Sequence, residues 1–295
     1  SDQNFQKKIN ILTNKLKVGL FDEVISDSQH LLKKNKDQII YNILSIAYQG
    51  KNDYDSSIKL LEKAIKNNSR NIFFLNNLGL SYFKKNDIIN AEKYYKRALE
   101  IDPNYINVLV NYANLKKELD LLDEAIIIFQ KALGQNNQVL EVHYNLATIY
   151  QSIGEYTLAI QHFKKVNEID PKFTKADRGI SSMMKYKKDA EHLLEMQNKI
   201  TKLKLNKQQS LELHFALGKA YEDLNDYKNS FINLKKANSL KREITNYSVK
   251  KDLELFEKIK KFFNKDYNNL ITRNETKLIF IVGMPRSGTS LVEQI

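Results

Sequence analysis

The sequence feature that most constrains the fold is a repeat of 34 residues that fills most of the chain before residue 245. In its clearest copy the recurring residues are Leu78, Gly79, Tyr82, Asn86, Ala91, Tyr95, Ala98 and Pro103. Two periods later the corresponding residues are Leu146, Ala147, Tyr150, Gly154, Ala159, Phe163, Val166 and Pro171. A fixed period of this length predicts that each copy is one supersecondary element, which buries its apolar face against its neighbours.

The neighbouring copies follow the same pattern. The copy between these two carries Tyr112, Ala113, Asp120, Ala125, Phe129 and Ala132. The preceding copy carries Leu44, Ser45, Tyr48, Asn52, Ser57, Leu61 and Ala64. This pattern resembles the tetratricopeptide repeat (TPR), a helix–turn–helix of 34 residues. The resemblance implies an all-α, right-handed superhelix in which small residues allow the paired helices to approach closely, so we expect Ala91, Ala125 and Ala159 to be buried.

Weaker copies flank the regular ones. We place an array at residues 1–245, with repeats at 5–37, 38–71, 72–105, 106–139 and 140–173, an irregular copy at 174–210, and a last repeat at 211–244. The first copy has Gly19 at its turn and Val24 in place of the small residue, and is predicted to cap the array. Leu193 and Met196 belong to a helical pattern in the irregular copy. Asn206 and Gln209 have the spacing of a capping box.

Residues 246–276 are predicted to connect the array to a second domain. An apolar stripe at Val249, Leu253, Phe256, Ile259 and Phe263 indicates one amphipathic helix. The polar residues 264–276 that follow are predicted to form a loop. Residues 277–295 then start a segment of different character.

This last segment combines an apolar run with a glycine-bounded turn. Leu278–Val282 has the composition of a buried strand, and the residues after Gly288 fit the first turns of a helix. A turn between a strand and a helix N-terminus is a phosphate-binding geometry, because backbone N–H groups and the positive helix end converge there. A nucleotide-triphosphatase loop would have lysine at Thr289, whereas the cation here is Arg286.

The residues GMPRSGTS resemble the 5′-phosphosulfate loop of sulfotransferases that use 3′-phosphoadenosine-5′-phosphosulfate (PAPS). They look most like tyrosylprotein sulfotransferases and bacterial sulfotransferases that carry TPR repeats. The resemblance implies sulfuryl transfer from PAPS to a hydroxyl acceptor, for which protein tyrosine is one candidate, without a metal. Arg286 would stabilise the leaving group, and Arg286, Ser287, Gly288, Thr289 and Ser290 would bind the cofactor. Since one strand and a partial helix cannot bury a core, we expect a truncated α/β sulfotransferase domain at 277–295 and an inactive fragment.

A second candidate site lies in the repeats. Asn77, Asn111 and Asn145 are 34 residues apart, at the same position of the first helix in three successive repeats. A row of amides with this period can hydrogen-bond the backbone of an extended peptide in the TPR groove. The alternative is that asparagine is simply common at this position of the motif.

Composition limits the remaining possibilities. The formal net charge of +12 favours anionic partners, although solvated lysines on helix faces explain most of it, and no specific nucleic-acid partner is expected. Cysteine is absent, the histidines lack metal-ligand spacing, and no apolar run is long enough to span a membrane. With no secretory signal, we expect a cytoplasmic protein. Two alternative functions stay open: a TPR protein–protein interaction module without catalytic activity, and a P-loop nucleotidase.

Overall fold

The computed structural model describes residues 2–188 and 190–263, which form fifteen α-helices and no strand. The helices are α1 (Asp2–Lys17), α2 (Phe21–Lys34), α3 (Gln38–Gly50), α4 (Tyr54–Asn67), α5 (Ile72–Lys84), α6 (Ile88–Ile101), α7 (Ile106–Glu118), α8 (Leu122–Gln135), α9 (Leu140–Ser152), α10 (Tyr156–Ile169), α11 (Lys175–Met183), α12 (Glu191–Lys202), α13 (Lys207–Asp223), α14 (Tyr227–Thr245) and α15 (Val249–Phe263). The predicted all-α helical superhelix is confirmed.

The chain divides into two compact units, residues 1–241 and residues 242–295. In the first unit consecutive helices pack in pairs, with α5 on α6, α7 on α8 and α9 on α10. Each pair also contacts the next one along the chain, for example α4 with α5 and α6 with α7. This nearest-neighbour packing is what a repeat of 34 residues predicts, because no copy can bury its apolar face alone.

Small residues set the distance between paired helices. Ala91, Ala125 and Ala159 have no exposed surface, which confirms that prediction. Gly79 has the same role on the first helix of its repeat: a Cβ atom there would lie 2.5 Å from the Tyr95 ring. The aromatic ring therefore occupies the space that a side chain on the facing helix would need.

The turns within the repeats use left-handed backbone at equivalent positions. The residues with positive φ in these turns are Gly19 (79°), Asn52 (60°), Asn86 (62°), Asp120 (58°), Gly154 (85°) and Asn225 (60°). Asparagine, aspartate and glycine tolerate this conformation better than other residues, and this preference explains their recurrence in the sequence. In three of these turns the next residue caps the second helix, since the carboxylates of Asp53, Asp87 and Asp226 accept hydrogen bonds from Ser56 N, Asn90 N and Asn229 N.

A tyrosine hydroxyl on the first helix of a repeat bonds to the second helix of the copy before it at several junctions. The pairs are Gln29–Tyr48 (2.8 Å), Glu62–Tyr82 (2.6 Å), Glu92–Tyr112 (2.8 Å), Gln130–Tyr150 (3.3 Å) and Gln197–Tyr221 (2.9 Å). Each tyrosine thus places its ring between helices and its hydroxyl on a polar partner, as buried tyrosines usually do. These bonds join successive repeats.

The irregular copy is held by a buried polar cluster. Asp177 on α11 has no exposed surface, and its carboxylate accepts hydrogen bonds from Lys199 Nζ at 2.8 and 2.9 Å. Asn167 Nδ2 also donates to it at 2.9 Å, and His192 Nε2 lies 3.2 Å away. His192 in turn contacts the Tyr186 hydroxyl through Nδ1 at 2.6 Å. Nothing in the repeat pattern indicated this cluster.

Local predictions at the two ends of the irregular copy are confirmed. Leu193 and Met196 are buried in helix α12. Helix α13 starts with the predicted capping box: the Asn206 side chain accepts from Gln209 N, and the Gln209 side chain accepts from Asn206 N. This reciprocal pair satisfies two of the N–H groups at the helix start.

Helix α15 belongs to the second compact unit and confirms the predicted amphipathic helix. Its apolar side chains are exposed, with Leu253 58% and Phe256 56% exposed. The predicted loop at 264–276 and the predicted strand, loop and helix at 277–295 lie outside the described residues. None of the described helices is long and apolar enough to cross a membrane.

Candidate functional site

A cavity of about 470 Å³ is formed by the first helices of three successive repeats, α5, α7 and α9. Its lining residues are Leu80, Phe83, Lys84, Asn111, Asn114, Lys117, Glu118, Glu141 and Asn145. We call it the amide cavity, because three asparagine side chains line it. It contains two of the three predicted peptide-binding residues, Asn111 and Asn145.

The hydrogen bonds of these two asparagines leave complementary groups unused. Asn111 Nδ2 donates to Asn76 Oδ1 at 2.9 Å, and Asn145 Oδ1 accepts from Lys117 Nζ at 2.8 Å. In the part of the chain that the structure describes, Asn111 Oδ1 and Asn145 Nδ2 have no hydrogen-bond partner. An amide acceptor and an amide donor can pair with the N–H and C=O groups of an extended peptide.

Asn77 differs from the other two. It does not line the amide cavity, although its exposed fraction of 7% is close to the 8% of Asn145. Its Nδ2 donates to Asn42 Oδ1 at 2.5 Å and to Ser45 Oγ at 3.4 Å, both on α3 of the preceding repeat. Equal spacing in the sequence therefore does not give the three asparagines equal access to a ligand.

The charges of the amide cavity are mixed. Its lining includes two lysines, Lys84 and Lys117, and two acids, Glu118 and Glu141. The Glu141 carboxylate already accepts a hydrogen bond from Asn114 Nδ2 at 3.2 Å. Among residues 2–188 and 190–263, no group of three His, Cys, Asp or Glu side chains could hold a metal ion. This surface is suited to hydrogen-bonding a polar backbone.

A second cavity, of about 390 Å³, adjoins the first. Its lining residues are Leu16, Lys17, Phe21, Ile46, Gln49, Gly50, Tyr54, Leu80 and Lys84. We call it the apolar cavity. Leu80 and Lys84 line both cavities, so the two cavities are parts of one surface.

One repeat position that the alignment did not use indicates the apolar cavity in the sequence. Ile46, Leu80, Asn114 and Thr148 are 34 residues apart, so they occupy one position of four successive first helices. This position is apolar in the first two repeats and polar in the next two. Comparing copies position by position would have shown that the surface changes character along the array.

The predicted cofactor-binding residues cannot be placed against these cavities. Arg286, Ser287, Gly288, Thr289 and Ser290 lie outside the described residues.

Two sequence models of one family match the array. One of these models of the tetratricopeptide repeat matches residues 72–105 and 140–173. The second matches residues 39–71, 106–138 and 211–244. Together the five matches cover more than half of the chain.

Curated relatives are repeat proteins or proteins that contain such repeats. The chain is 33% identical over 104 residues to anaphase-promoting complex subunit CDC16 of Saccharomyces cerevisiae, covering 33% of this chain and 12% of the relative. It is 24% identical to the Hsp70-Hsp90 organizing protein of Triticum aestivum, covering 69% of this chain and 36% of that one. The chain therefore spans 12% of the length of the first relative and 36% of the length of the second.

Solved structures of repeat proteins share the fold. A thermophilic TPR protein of Thermus thermophilus has a TM-score of 0.54 and 18% identity, covering 60% of this chain and 97% of that one. A tetratricopeptide repeat protein of Parabacteroides merdae has a TM-score of 0.51 and 17% identity, covering 81% and 93% of the two chains.

These matches contradict one prediction from the sequence. The assignment as a PAPS-dependent sulfotransferase is wrong, since the family matches and the relatives are those of repeat proteins and indicate a non-catalytic scaffold. The physical reason for the error is that a motif of about twenty residues specifies at most a phosphate-binding turn. Catalysis needs side chains from several elements held in one site, and a turn alone does not supply them.

Proposed function

The chain belongs to the tetratricopeptide repeat family, and we propose that it is a non-catalytic scaffold that binds an extended segment of a partner protein in the amide cavity. The observation that carries this proposal is the pair of unused amide groups, Asn111 Oδ1 and Asn145 Nδ2. A peptide backbone offers one donor and one acceptor per residue, so it can satisfy both groups whatever its side chains are.

The rigidity of the surface supports the same proposal. Asn111 and Asn145 stand on helices, and each is oriented by a hydrogen bond to Asn76 or Lys117. Amides that are already fixed lose little side-chain entropy when a ligand binds, which favours affinity. The size of the cavity, about 470 Å³, is within the roughly 300–1,000 Å³ that is usual for ligand pockets.

The names of the relatives are consistent with a scaffold. One is an organizing protein for Hsp70 and Hsp90, and another is a subunit of the anaphase-promoting complex. Both names describe proteins that act together with other proteins. For this chain, a protein partner is therefore the proposed ligand of the repeats.

A random peptide library displayed on phage tests the proposal. Peptides recovered on the purified chain are synthesised with a fluorescent label, and their Kd is measured by fluorescence anisotropy. The double variant Asn111→Ala/Asn145→Ala should weaken binding about 5- to 150-fold, because two hydrogen bonds of about 0.5–1.5 kcal/mol each are lost.

Asn238→Ala is the matched control. Asn238 is exposed on α14 and lines neither cavity, so its removal makes the same chemical change without affecting the ligand. Circular dichroism should show equal helix content in all variants. The proposal would be contradicted if the library yields no binder, or if the recovered peptides bind the double variant with an unchanged Kd.

Two further sequence-based predictions are separate from this function. Binding of PAPS by Arg286 and residues 287–290 stays a prediction that is supported by the motif alone. The cytoplasmic location also stays a prediction.

A further inference from the structure

We infer that the bound segment places a large apolar side chain in the apolar cavity, and an adjacent aspartate or glutamate side chain between Lys17 and Lys84. The inference rests on the proposed peptide binding and defines which segments the surface would select. It is carried by the lining and the charges of the apolar cavity.

The interior of this cavity is apolar. Leu16, Phe21, Ile46, Tyr54 and Leu80 are half-buried residues from α1, α2, α3, α4 and α5. Their exposed parts converge on one space of about 390 Å³. An apolar side chain that enters this space removes apolar surface from water on both sides, which is the main source of affinity in such pockets.

The charges at the rim have one sign. Lys17 and Lys84 line the cavity, and no acidic residue does. Neither lysine forms an ion pair within the described residues. Their unpaired ammonium groups attract a carboxylate at this rim.

Three lysines close to Lys17 and Lys84 already have acidic partners. Lys85, the neighbour of Lys84 in the chain, pairs with Asp55, and Lys51 pairs with Asp22. Lys15, two residues before Lys17, pairs with Glu23 and Asp27 at 2.8 Å. What distinguishes Lys17 and Lys84 from other surface lysines is their position, because both line the apolar cavity and no acidic residue lines it with them.

The acid should be a side chain within a segment. Because Leu80 and Lys84 line both cavities, a peptide in the apolar cavity continues into the amide cavity, where Asn111 and Asn145 can hold its backbone. Because Lys84 lines both cavities, an acid beside it lies where the peptide passes from one cavity to the other, with further residues on either side. We therefore assign the acid to an internal aspartate or glutamate.

The array itself supplies the variants for a test. Leu80→Asn introduces the residue found at the same position one repeat later, Asn114, and Ile46→Thr introduces the residue found three repeats later, Thr148. Both changes put a polar group where another repeat already has one, so the helices should still form. Lys17→Gln/Lys84→Gln removes the two charges, with Lys235→Gln/Lys236→Gln on exposed positions of α14 as control.

The probe is the set of peptides recovered from the random phage library, synthesised with acetylated N-termini and amidated C-termini. We expect a large apolar residue next to an acidic one to be enriched over the unselected library. Exchange of that apolar residue of the peptide for alanine should weaken binding to the unaltered protein tenfold or more. When the protein carries Leu80→Asn, the same exchange in the peptide should cause little further loss, because both changes remove the same contact. Lys17→Gln/Lys84→Gln should weaken binding about 3- to 10-fold at low salt and less at high salt, since salt screens exposed charges.

The outcomes separate this inference from the function on which it rests. Binders that depend on Asn111 and Asn145 but show no enriched apolar–acidic pair would overturn the inference and leave the function standing. The same holds if such binders are unaffected by Leu80→Asn and by the loss of both lysines. Peptides that bind only with a free C-terminal carboxylate would also overturn it. A library without binders would overturn both.

Discussion

The regular repeats and the irregular copy at 174–210 are held together by different forces. In the regular repeats, close packing of small residues against rings decides the geometry, as where Gly79 lies against Tyr95. In the irregular copy, a buried carboxylate, Asp177, holds Lys199 and Asn167 and lies beside His192. Packing of the first kind recurs with the period, whereas polar contacts of the second kind occur once and have no period.

This difference shows how a repeat array can tolerate a copy without consensus residues. The irregular copy has the short helix α11, of nine residues, which offers little apolar surface. Charge-assisted hydrogen bonds in a buried place are stronger than bonds between neutral groups and restrict the geometry of their partners. The cluster thus fixes a segment that side-chain packing alone would define poorly.

The largest effect should follow from breaking the buried cluster. Asp177→Ala would leave Lys199 and His192 without their buried acceptor, and we expect the free energy of unfolding to fall by about 3–5 kcal/mol. Urea denaturation followed by circular dichroism measures this change. Asp123→Ala on the exposed face of α8 is the control, with an expected loss below about 1 kcal/mol. A loss below 1 kcal/mol for Asp177→Ala would mean that the cluster does not hold the irregular copy.

A smaller effect should follow from disturbing a regular repeat. Gly79→Ala would put a Cβ atom 2.5 Å from the Tyr95 ring, which has no exposed surface and cannot move outward. Overpacking of this kind costs about 1–3 kcal/mol. Gly134→Ala is the matched control, because nothing lies within 4 Å of its Cβ position in helix α8. Alanine should stabilise that helix by up to about 1 kcal/mol. Equal melting temperatures for the two variants would contradict the packing argument.

The smallest effect concerns the polar bonds between regular repeats. Tyr82→Phe removes the hydrogen bond from the hydroxyl to Glu62 Oε1 at 2.6 Å, and stability should fall by about 1 kcal/mol. The Tyr95 hydroxyl is buried without a hydrogen-bond partner in the described part of the chain. Tyr95→Phe should therefore leave stability unchanged or raise it slightly. Thermal unfolding of both variants compares them directly, and a larger loss for Tyr95→Phe would show that its hydroxyl has a partner in solution.

The sequence predicted the fold well because its signals are local and repeated. The capping box at Asn206 and the buried Ala125 each depend on residues close in the chain or one helix away. The candidate site was predicted only in part. Asn111 and Asn145 line the amide cavity, but Asn77 donates its amide to Asn42, which no spacing argument could show.

The sequence by itself determined the helices, their turns and their stacking, since a period of 34 residues leaves few other ways to bury the apolar face of each copy. It did not determine the function: the loop motif at Gly283–Ser290 suggested an enzyme, and the family matches contradict it. Only the tertiary structure placed Leu16, Ile46 and Leu80 around one cavity, left Lys17 and Lys84 unpaired at its rim, and brought Lys199 to Asp177. These contacts join residues from different helices, and they depend on side-chain orientations that exist only after the helices have packed.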